Sequence, residues 1–277
     1  MYKVFLGTIL TVFFCSACLF HDNPLNTALK IGNNNGFEYL QISSSQFEQV
    51  VFLKTGPQID NLMIYIEGDG SAWARRYKPS NNPSPHNPLA LRLASLDPYP
   101  SIAYIARPCQ YTGGINARGC DVSYWTSHRF SDEVVNSTSE IISKLKEMTG
   151  AKKIDLVGYS GGGAVAILIA MRRTDVASVR TVAGNLDHIK WTQLHGVSPL
   201  EGSLNPTDQI SVKCKIPQLH YVGSNDNIIP IQIAESYCQK AGNNGLIQLK
   251  VIQGCTHSKG WANIWTSLCA DFYKSHE

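Results

Sequence analysis

The sequence predicts a single α/β domain built on a mostly parallel central sheet with helices on both faces. Short apolar runs, most of which end at glycine, recur along the chain, and stretches with helical spacing lie between them. Near-continuous apolar runs are typical of parallel strands that are covered on both sides. The 260 residues from Cys18 to Glu277 are enough for one large core, and no repeat or linker indicates a second domain.

The first seventeen residues, 1–17, have the profile of a secretory signal peptide. Lys3 precedes an apolar core that is too short to span a membrane, and small residues follow. A buried N-terminal helix would need polar residues at helical spacing, which this stretch lacks. The segment 16–18 resembles the lipobox of bacterial lipoproteins, although Cys15 stands where that motif usually has leucine. We therefore expect export, with the mature protein periplasmic, secreted or anchored to a membrane by lipid at Cys18.

The rest of the chain is organised as a polar leader followed by alternating strands and helices. Residues 18–47 are rich in asparagine and predict a leader with edge structure, so that the main domain spans 48–277. The seven predicted strands are 50–56, 61–68, 101–107, 153–159, 177–184, 216–223 and 246–254. The four predicted helices are 131–150, 162–173, 230–241 and 258–274.

Two stretches interrupt this alternation. Residues 69–88 form a proline-rich loop, and residues 185–206 are predicted as an insertion without a regular element. Both leave the C-terminal ends of predicted strands, and open α/β sheets place their ligand sites at that edge. The sequence therefore directs the search for a site to these two stretches.

Charge and cysteine content exclude some classes of function. From Cys18 onward the chain has 23 basic and 21 acidic residues and no basic run, which excludes a nucleic-acid footprint. No CxxC pair and no His/Cys cluster with zinc-like spacing occurs, so we expect no metal. Six further cysteines favour disulfides in an oxidising compartment. Sequence alone does not choose their connectivity, but proximity along the chain favours Cys109–Cys120, Cys214–Cys238 and Cys255–Cys269.

The segment Gly158-Tyr159-Ser160-Gly161-Gly162 carries the strongest chemical signal. It has the Gly-x-Ser-x-Gly pattern, follows a predicted strand and opens a predicted helix. Glycines let the strand and helix approach closely, and the amide of Gly161 would point at a substrate oxygen. A glycine-rich turn for phosphate would not explain the serine at its apex, and the P-loop lysine is absent. Ser160 is therefore the predicted nucleophile.

From about residue 48 to its end, the chain resembles the α/β-hydrolase-fold serine hydrolases. In that family the acid and the histidine follow the serine in chain order. The resemblance implies that Asp226, in the turn after a predicted strand, is the acid. Asp187 is the alternative, because some members use the preceding strand, and a turn aspartate such as Asp226 is also a common helix cap.

The resemblance implies that His257 is the general base. It lies just beyond the last predicted strand and before the final predicted helix. His188 and His195, in the insertion, are the competitors, and a loop histidine is often simply exposed to solvent. The chain order favours His257.

The resemblance also places an oxyanion hole after the strand at 61–68. The segment 67–70 (EGDG) stands where lipases and esterases carry His-Gly-Gly-Gly. Matching residue by residue assigns the second donor to the Asp69 amide, or alternatively to the Gly68 amide, beside the amide of Gly161. A further alternative is that Asp69 only caps the loop.

Two open questions concern the surroundings of the site. The two carboxylates of the segment 67–70 would oppose a developing oxyanion, and Arg75 and Arg76 are close enough in sequence to neutralise one of them. The residues that flank the loop after 101–107 either form pocket walls or pack that loop. These candidates are Arg107, Tyr111, Tyr124 and Trp125.

Together these features imply an exported serine hydrolase that cleaves a carboxylic ester or thioester through an acyl-enzyme on Ser160, without a cofactor. The expected substrate is a small-molecule or lipid-like acyl compound. An acyltransferase that uses the same acyl-enzyme is the nearest alternative, and peptidase activity stays open. A non-catalytic surface lipoprotein on this fold is the alternative from another class.

Overall fold

The computed structural model describes residues 23–57, 60–210, 215–242 and 245–274. The predicted signal peptide and Cys18 lie outside the described residues. Cys214 also lies outside them, so the predicted Cys214–Cys238 pairing is not described. In chain order the elements are α1 (Pro24–Asn34), β1 (Glu38–Ser43), β2 (Glu48–Lys54), β3 (Asn61–Ile66), β4 (Trp73–Arg75), β5 (Lys78–Pro79), α2 (Leu89–Leu96), β6 (Ile102–Ile105), α3 (Asp132–Thr149), β7 (Lys153–Tyr159), α4 (Gly161–Ala170), β8 (Val176–Val182), α5 (His188–His195), α6 (Pro206–Gln209), β9 (Gln218–Gly223), α7 (Ile231–Ala241), β10 (Ile247–Ile252) and α8 (Trp261–Lys274). In this described part of the chain, no helix has the length and apolar character needed to cross a membrane.

Within the described residues, eight strands form one mostly parallel sheet, which confirms the predicted fold class. Their order is β1-β2-β6-β3-β7-β8-β9-β10, and β4 and β5 form a separate small hairpin. Strand β2 is antiparallel to both β1 and β6, and every other neighbouring pair in the large sheet is parallel. The carboxyl ends of β3, β7, β8 and β9 therefore meet at one edge.

Helices cover both faces of the sheet, and strand β3 shows how its residues divide between them. Leu62, Ile64 and Ile66 belong to the core shared with α3, α4 and α7. Met63 and Tyr65 alternate with them and belong to the core shared with α1, α2 and α8. This alternation is the two-residue period of a strand with apolar residues on both faces.

The seven predicted strands and the four predicted helices all form, with ends shifted by a few residues. The prediction that 185–206 lacks a regular element is wrong, because α5 forms inside it. Asp187 caps this helix by accepting a hydrogen bond from the Lys190 amide at 3.1 Å. Gly196 ends it with a left-handed backbone, φ 59°.

The stretch expected as a leader contains α1 and the edge strand β1. Asn23 caps α1 by accepting from the Leu25 amide at 3.0 Å, and Pro24 occupies the first helical position. The helix packs closely on the sheet at Gly32, where a Cβ would lie 2.4 Å from the Phe52 ring. This stretch is therefore packed against the large sheet.

The structure settles two of the three predicted cysteine pairings. Cys109 and Cys120 form a disulfide with their Cα atoms 5.8 Å apart, as predicted. The Cys255–Cys269 prediction is wrong, because both thiols are free and buried. Cys269 faces Arg180 on β8, with 3.5 Å between Sγ and the guanidinium, whereas Cys255 lies against Gly260.

Candidate active site

Ser160 occupies a sharp turn between β7 and α4 at the carboxyl edge of the sheet. Its backbone has φ 51° and ψ −120°, a strained conformation for a residue other than glycine. The turn needs small neighbours, because a Cβ on Gly158 would lie 2.3 Å from the Gly162 carbonyl. The Ser160 amide donates to the Val182 carbonyl at 3.0 Å, which anchors the turn to β8. This is the geometry of a nucleophile elbow.

The structure brings the predicted acid and base to this serine. His257 Nε2 lies 3.1 Å from Ser160 Oγ, and His257 Nδ1 lies 3.0 Å from Asp226 Oδ2. The other oxygen of Asp226 accepts from the amides of Ile228 and Ile229, both at 2.8 Å. An ionised carboxylate only accepts, so Nδ1 carries the proton and Nε2 accepts from the serine hydroxyl. Ser160 is thus hydrogen-bonded to a histidine with the tautomer that a general base needs.

The loop that carries His257 is held by hydrogen bonds rather than by the disulfide that we predicted there. Trp261 Nε1 donates to the Thr256 carbonyl at 2.8 Å and also lies 3.2 Å from the His257 carbonyl. The Asn225 amide donates to the Cys255 carbonyl at 2.9 Å, which joins this loop to the turn of Asp226. The acid and the base therefore share one support.

The alternative acid and bases lie elsewhere and have structural partners. Asp187 caps α5 and accepts from Ser236 Oγ at 2.6 Å. His188 Nε2 faces the Ser203 carbonyl at 3.2 Å, and His195 Nε2 faces the Ile228 carbonyl at 2.9 Å. The structure places none of these three side chains in hydrogen-bond contact with Ser160.

The two backbone donors expected beside Ser160 are free. Among the described residues, no protein acceptor takes a hydrogen bond from the amide of Asp69 or of Gly161. The Gly68 amide, in contrast, donates to Glu67 Oε1 at 2.9 Å. The geometry therefore favours Asp69 over Gly68 as the partner of Gly161.

The Asp69 side chain is neutralised by two arginines, and neither is the one expected from sequence. Arg107 lies 3.1 Å from Oδ1 and Arg129 lies 2.8 Å from Oδ2. The prediction that Arg75 or Arg76 neutralises this carboxylate is wrong, because both belong to the β4–β5 hairpin, which carries them out to solvent. With one carboxylate between two guanidinium groups, the cluster keeps a net positive charge, which favours an oxyanion nearby.

Asp69 and Gly161 fit each other closely. A Cβ on Gly161 would lie 2.0 Å from Asp69 Oδ1, so only glycine leaves room for the carboxylate there. The carboxylate lies at the N-terminus of α4, where the helix dipole stabilises negative charge. Gln110 Nε2 completes the support by donating to the Gly68 carbonyl at 2.9 Å.

Glu67 is the second carboxylate of this loop, and it is fully buried. Oε1 accepts from the amide of Gly68 and, at 3.4 Å, from that of Ala90 at the start of α2. Burial raises the pKa of Glu67 to about 7, against the opposing effect of these amides. Near neutral pH this side chain therefore carries only part of a negative charge.

Ser160 and His257 open into a cavity of about 590 Å³. Its walls include Trp73, Trp191 and Ile228. None of the three is among the predicted site residues, because Trp73 and Trp191 lie in the two stretches without predicted elements and Ile228 lies in the turn after Asp226. The proposed pocket walls around the loop after β6 are mostly packing residues instead. Tyr111 and Trp125 are buried, Tyr124 stacks edge-on with Phe47 at 4.9 Å, and Arg107 pairs with Asp69.

A mostly parallel α/β sheet with Ser160, His257 and Asp226 at the carboxyl ends of its strands defines an α/β serine hydrolase. Within this class the chain belongs to the dienelactone hydrolase family, whose family model matches residues 112–260, just over half of the chain. The matched segment contains all three of these residues, and the protein is a hydrolase that acts on esters.

Solved structures show the same fold at low sequence identity. The esterase Pf2001 of Pyrococcus furiosus superposes with a TM-score of 0.63 at 14% identity, over 88% of this chain and 92% of that one. Est1E from Butyrivibrio proteoclasticus gives 0.60 at 14% identity, over 86% and 98%. XC6422 from Xanthomonas campestris, described as an α/β serine hydrolase without a lid, gives 0.58 at 12%, over 86% and 94%. A search of curated protein sequences finds no match.

Proposed function

We propose that the protein hydrolyses carboxylic esters of small molecules through an acyl-enzyme on Ser160. The observation that carries this proposal is the continuous hydrogen-bonded chain from Ser160 Oγ through His257 to Asp226, at 3.1 Å and 3.0 Å. It opens into a cavity of about 590 Å³, a volume typical of sites for small ligands.

The geometry leads to the following steps. His257 Nε2 takes the proton of Ser160 as the oxygen attacks the ester carbonyl, and Asp226 stabilises the imidazolium that forms. The amides of Gly161 and Asp69 donate to the oxyanion, each worth roughly 3 kcal/mol in such sites. The imidazolium then gives its proton to the leaving alcohol, and water repeats the sequence on the acyl-enzyme. No step uses a cofactor.

Labelling with a fluorophosphonate probe tests the assignment of the nucleophile. We expect one labelled site in the wild-type protein, no labelling of Ser160→Ala, and a loss of several orders of magnitude in the hydrolysis of short esters by that variant. Ser95→Ala, on α2 away from the cavity, is the control and should label fully. Full labelling of Ser160→Ala at a single site would show that another residue is the nucleophile.

We propose in addition that the protein is exported. The N-terminal sequence supports this, and so does the Cys109–Cys120 disulfide, because such bonds persist in oxidising compartments. The mass of the mature N-terminus, after expression of the full chain in a bacterial host, distinguishes an acylated Cys18 from simple cleavage. Retention of Lys3 in the mature protein would contradict export by this route.

A further inference from the structure

A second cavity of about 430 Å³, here called the distal cleft, adjoins the cavity above Ser160. Trp73, Arg129 and Trp191 line both cavities and so form their shared boundary. The β4–β5 hairpin forms one wall of the distal cleft, and the end of α5 with residues 196–200 forms the other. A substrate arm that extends from Ser160 beyond these three side chains would enter the distal cleft.

Three large aromatic side chains, those of Trp73, Tyr77 and Trp191, line the distal cleft. Trp73 is 48% exposed at the boundary with the cavity above Ser160, and Tyr77 is 81% exposed and lines the distal cleft alone. The opposite wall is held in place, because Trp191 Nε1 donates to the Ile228 carbonyl at 2.7 Å and His195 faces the same carbonyl. Exposed indole and phenol faces beside a fixed aromatic wall favour a flat ring between them.

The charge of the distal cleft is positive. Arg76 and Arg129 line it, and no aspartate or glutamate does within the part of the chain that the structure describes. Arg129 is paired with Asp69, whereas Arg76 lies over the Tyr77 ring at 5.2 Å and has no carboxylate partner among the residues that the structure describes. A cationic cleft without carboxylates attracts a negative group and repels a positive one.

We propose that the distal cleft is a specificity subsite that binds an aromatic ring carrying an anionic substituent on one arm of the ester. This inference rests on the proposed function, because the ring is selected through the hydrolysis at Ser160. Trp73 supplies the aromatic contact and Arg76 supplies the charge. Neither side chain touches the reacting atoms, so both act on the choice of substrate.

Matched substrates and variants test this subsite. Two ester series place a phenyl ring on the alcohol arm or on the acyl arm, and each series has an anionic, a neutral and a cationic ring substituent beside a methyl-only reference. For each protein, kcat/KM is measured for two esters of one series and expressed as a ratio. Dividing the ratio of a variant by the ratio of the wild type cancels the intrinsic reactivity of each ester.

In one of the two series, Trp73→Ala should lower the preference for the ring over the reference by roughly threefold to tenfold. Arg76→Ala should lower the preference for the anionic over the neutral ring by roughly threefold. Arg75→Ala, in the same hairpin but outside both cavities, is the matched control and should leave the ratios unchanged. Unchanged ratios in both Trp73→Ala and Arg76→Ala would overturn the subsite.

A binding measurement separates failure of the subsite from failure of the proposed function. The two free hydrolysis products that carry the anionic ring are the carboxylic acid of the acyl-arm series and the alcohol of the alcohol-arm series. Both are titrated by ligand-observed NMR against Ser160→Ala and against the double variant Ser160→Ala/Trp73→Ala, and the Kd of one of them should be weaker in the double variant. Equal affinities would overturn the subsite whatever the nucleophile is. Undiminished hydrolysis by Ser160→Ala would instead refute the proposed nucleophile, and the binding result would still decide the subsite.

Discussion

At the scale of single residues, the site depends on conformations that only a few side chains permit. Ser160 has a positive φ that costs about 1–3 kcal/mol in most contexts, and the packing of β7 against α4 maintains it. Asp226 is completely buried, and its two oxygens divide their hydrogen bonds between His257 and two backbone amides. The acid therefore has one orientation, and it fixes the tautomer of the histidine.

The partner of His257 can be identified by two matched substitutions. Asp226→Asn should lower kcat on the order of 10² or more, because an asparagine amide does not select the tautomer that accepts from Ser160. Asp187→Asn should lower kcat far less, because Asp187 caps α5 and does not contact His257. Steady-state kinetics with a short ester measures both, and a loss at Asp187 equal to or larger than the loss at Asp226 would move the acid to β8.

Glu67 predicts a pH dependence of stability. The pKa of Glu67 is about 7 in the folded protein and about 4.5 in the unfolded chain. Between these pH values the folded protein therefore holds a proton on Glu67 that the unfolded chain has released. Stability therefore falls as pH rises through this window, by an amount on the order of 3 kcal/mol. Glu67→Gln removes this titration, so the wild type should lose stability relative to the variant between pH 5 and 8.

Denaturant unfolding of both proteins at several pH values measures this difference. A stability difference that stays constant from pH 5 to 8 would show that Glu67 titrates in the folded protein as it does in the unfolded chain.

At the scale of elements, the loop after β3 is held by the loop after β6. Arg107 contacts the Asp69 carboxylate, and Gln110 contacts the Gly68 carbonyl. Cys109 lies between these two residues in the chain, and its disulfide to Cys120 closes the loop that carries them. The disulfide therefore supports the two free amides beside Ser160 through this loop.

The double variant Cys109→Ser/Cys120→Ser should be less stable by about 3 kcal/mol, the loss expected for a loop of this length. Its kcat should also fall, while the KM changes little, because the Asp69 amide, as the proposed second oxyanion donor, would stabilise the transition state more than the bound ester. Denaturant unfolding and steady-state kinetics check the two effects, with reductant added to the double variant as the control. Unchanged kcat would show that Asp69 is positioned without this loop.

At the scale of the whole molecule, the order of strands and helices could be predicted because it depends on local patterns. Buried strands such as β7 are apolar on both faces, and α3 has a capping serine, helical spacing and a closing glycine. The helix α5 escapes prediction because its apolar residues Ile189, Trp191 and Leu194 do not repeat at helical spacing, although the segment has a capping aspartate and a closing glycine.

Contacts between distant residues could not be predicted in this way. Asp69 pairs with arginines that are 38 and 60 positions away, whereas Arg75 and Arg76 are near it only in sequence. Proximity along the chain misled the Cys255–Cys269 prediction for the same reason. The chain order of the family supplied Asp226 and His257 as candidates, and the fold brings them to Ser160 from 66 and 97 positions away.

A buried charge cluster joins the sheet to α8 away from the active site. Arg180 on β8 is 3.5 Å from Asp97, which follows α2 and also accepts from Tyr65 and Tyr273. Asp97→Asn leaves the buried guanidinium without its carboxylate and should cost about 3–5 kcal/mol of stability. Adding Arg180→Met should recover part of that loss, and a thermal unfolding cycle of the two single variants and the double variant measures the coupling. Additive losses would show that the two charges do not stabilise each other.

The direct test of the whole account is the detection of an acyl-enzyme on Ser160. The protein is mixed with a 4-nitrophenyl ester, quenched in acid before the steady state and analysed by intact mass and peptide mapping. We expect one acyl adduct per molecule, on the peptide that contains Ser160, and no adduct in Ser160→Ala. Rapid turnover of the ester without an adduct, or with the acyl group on another residue, would contradict the account.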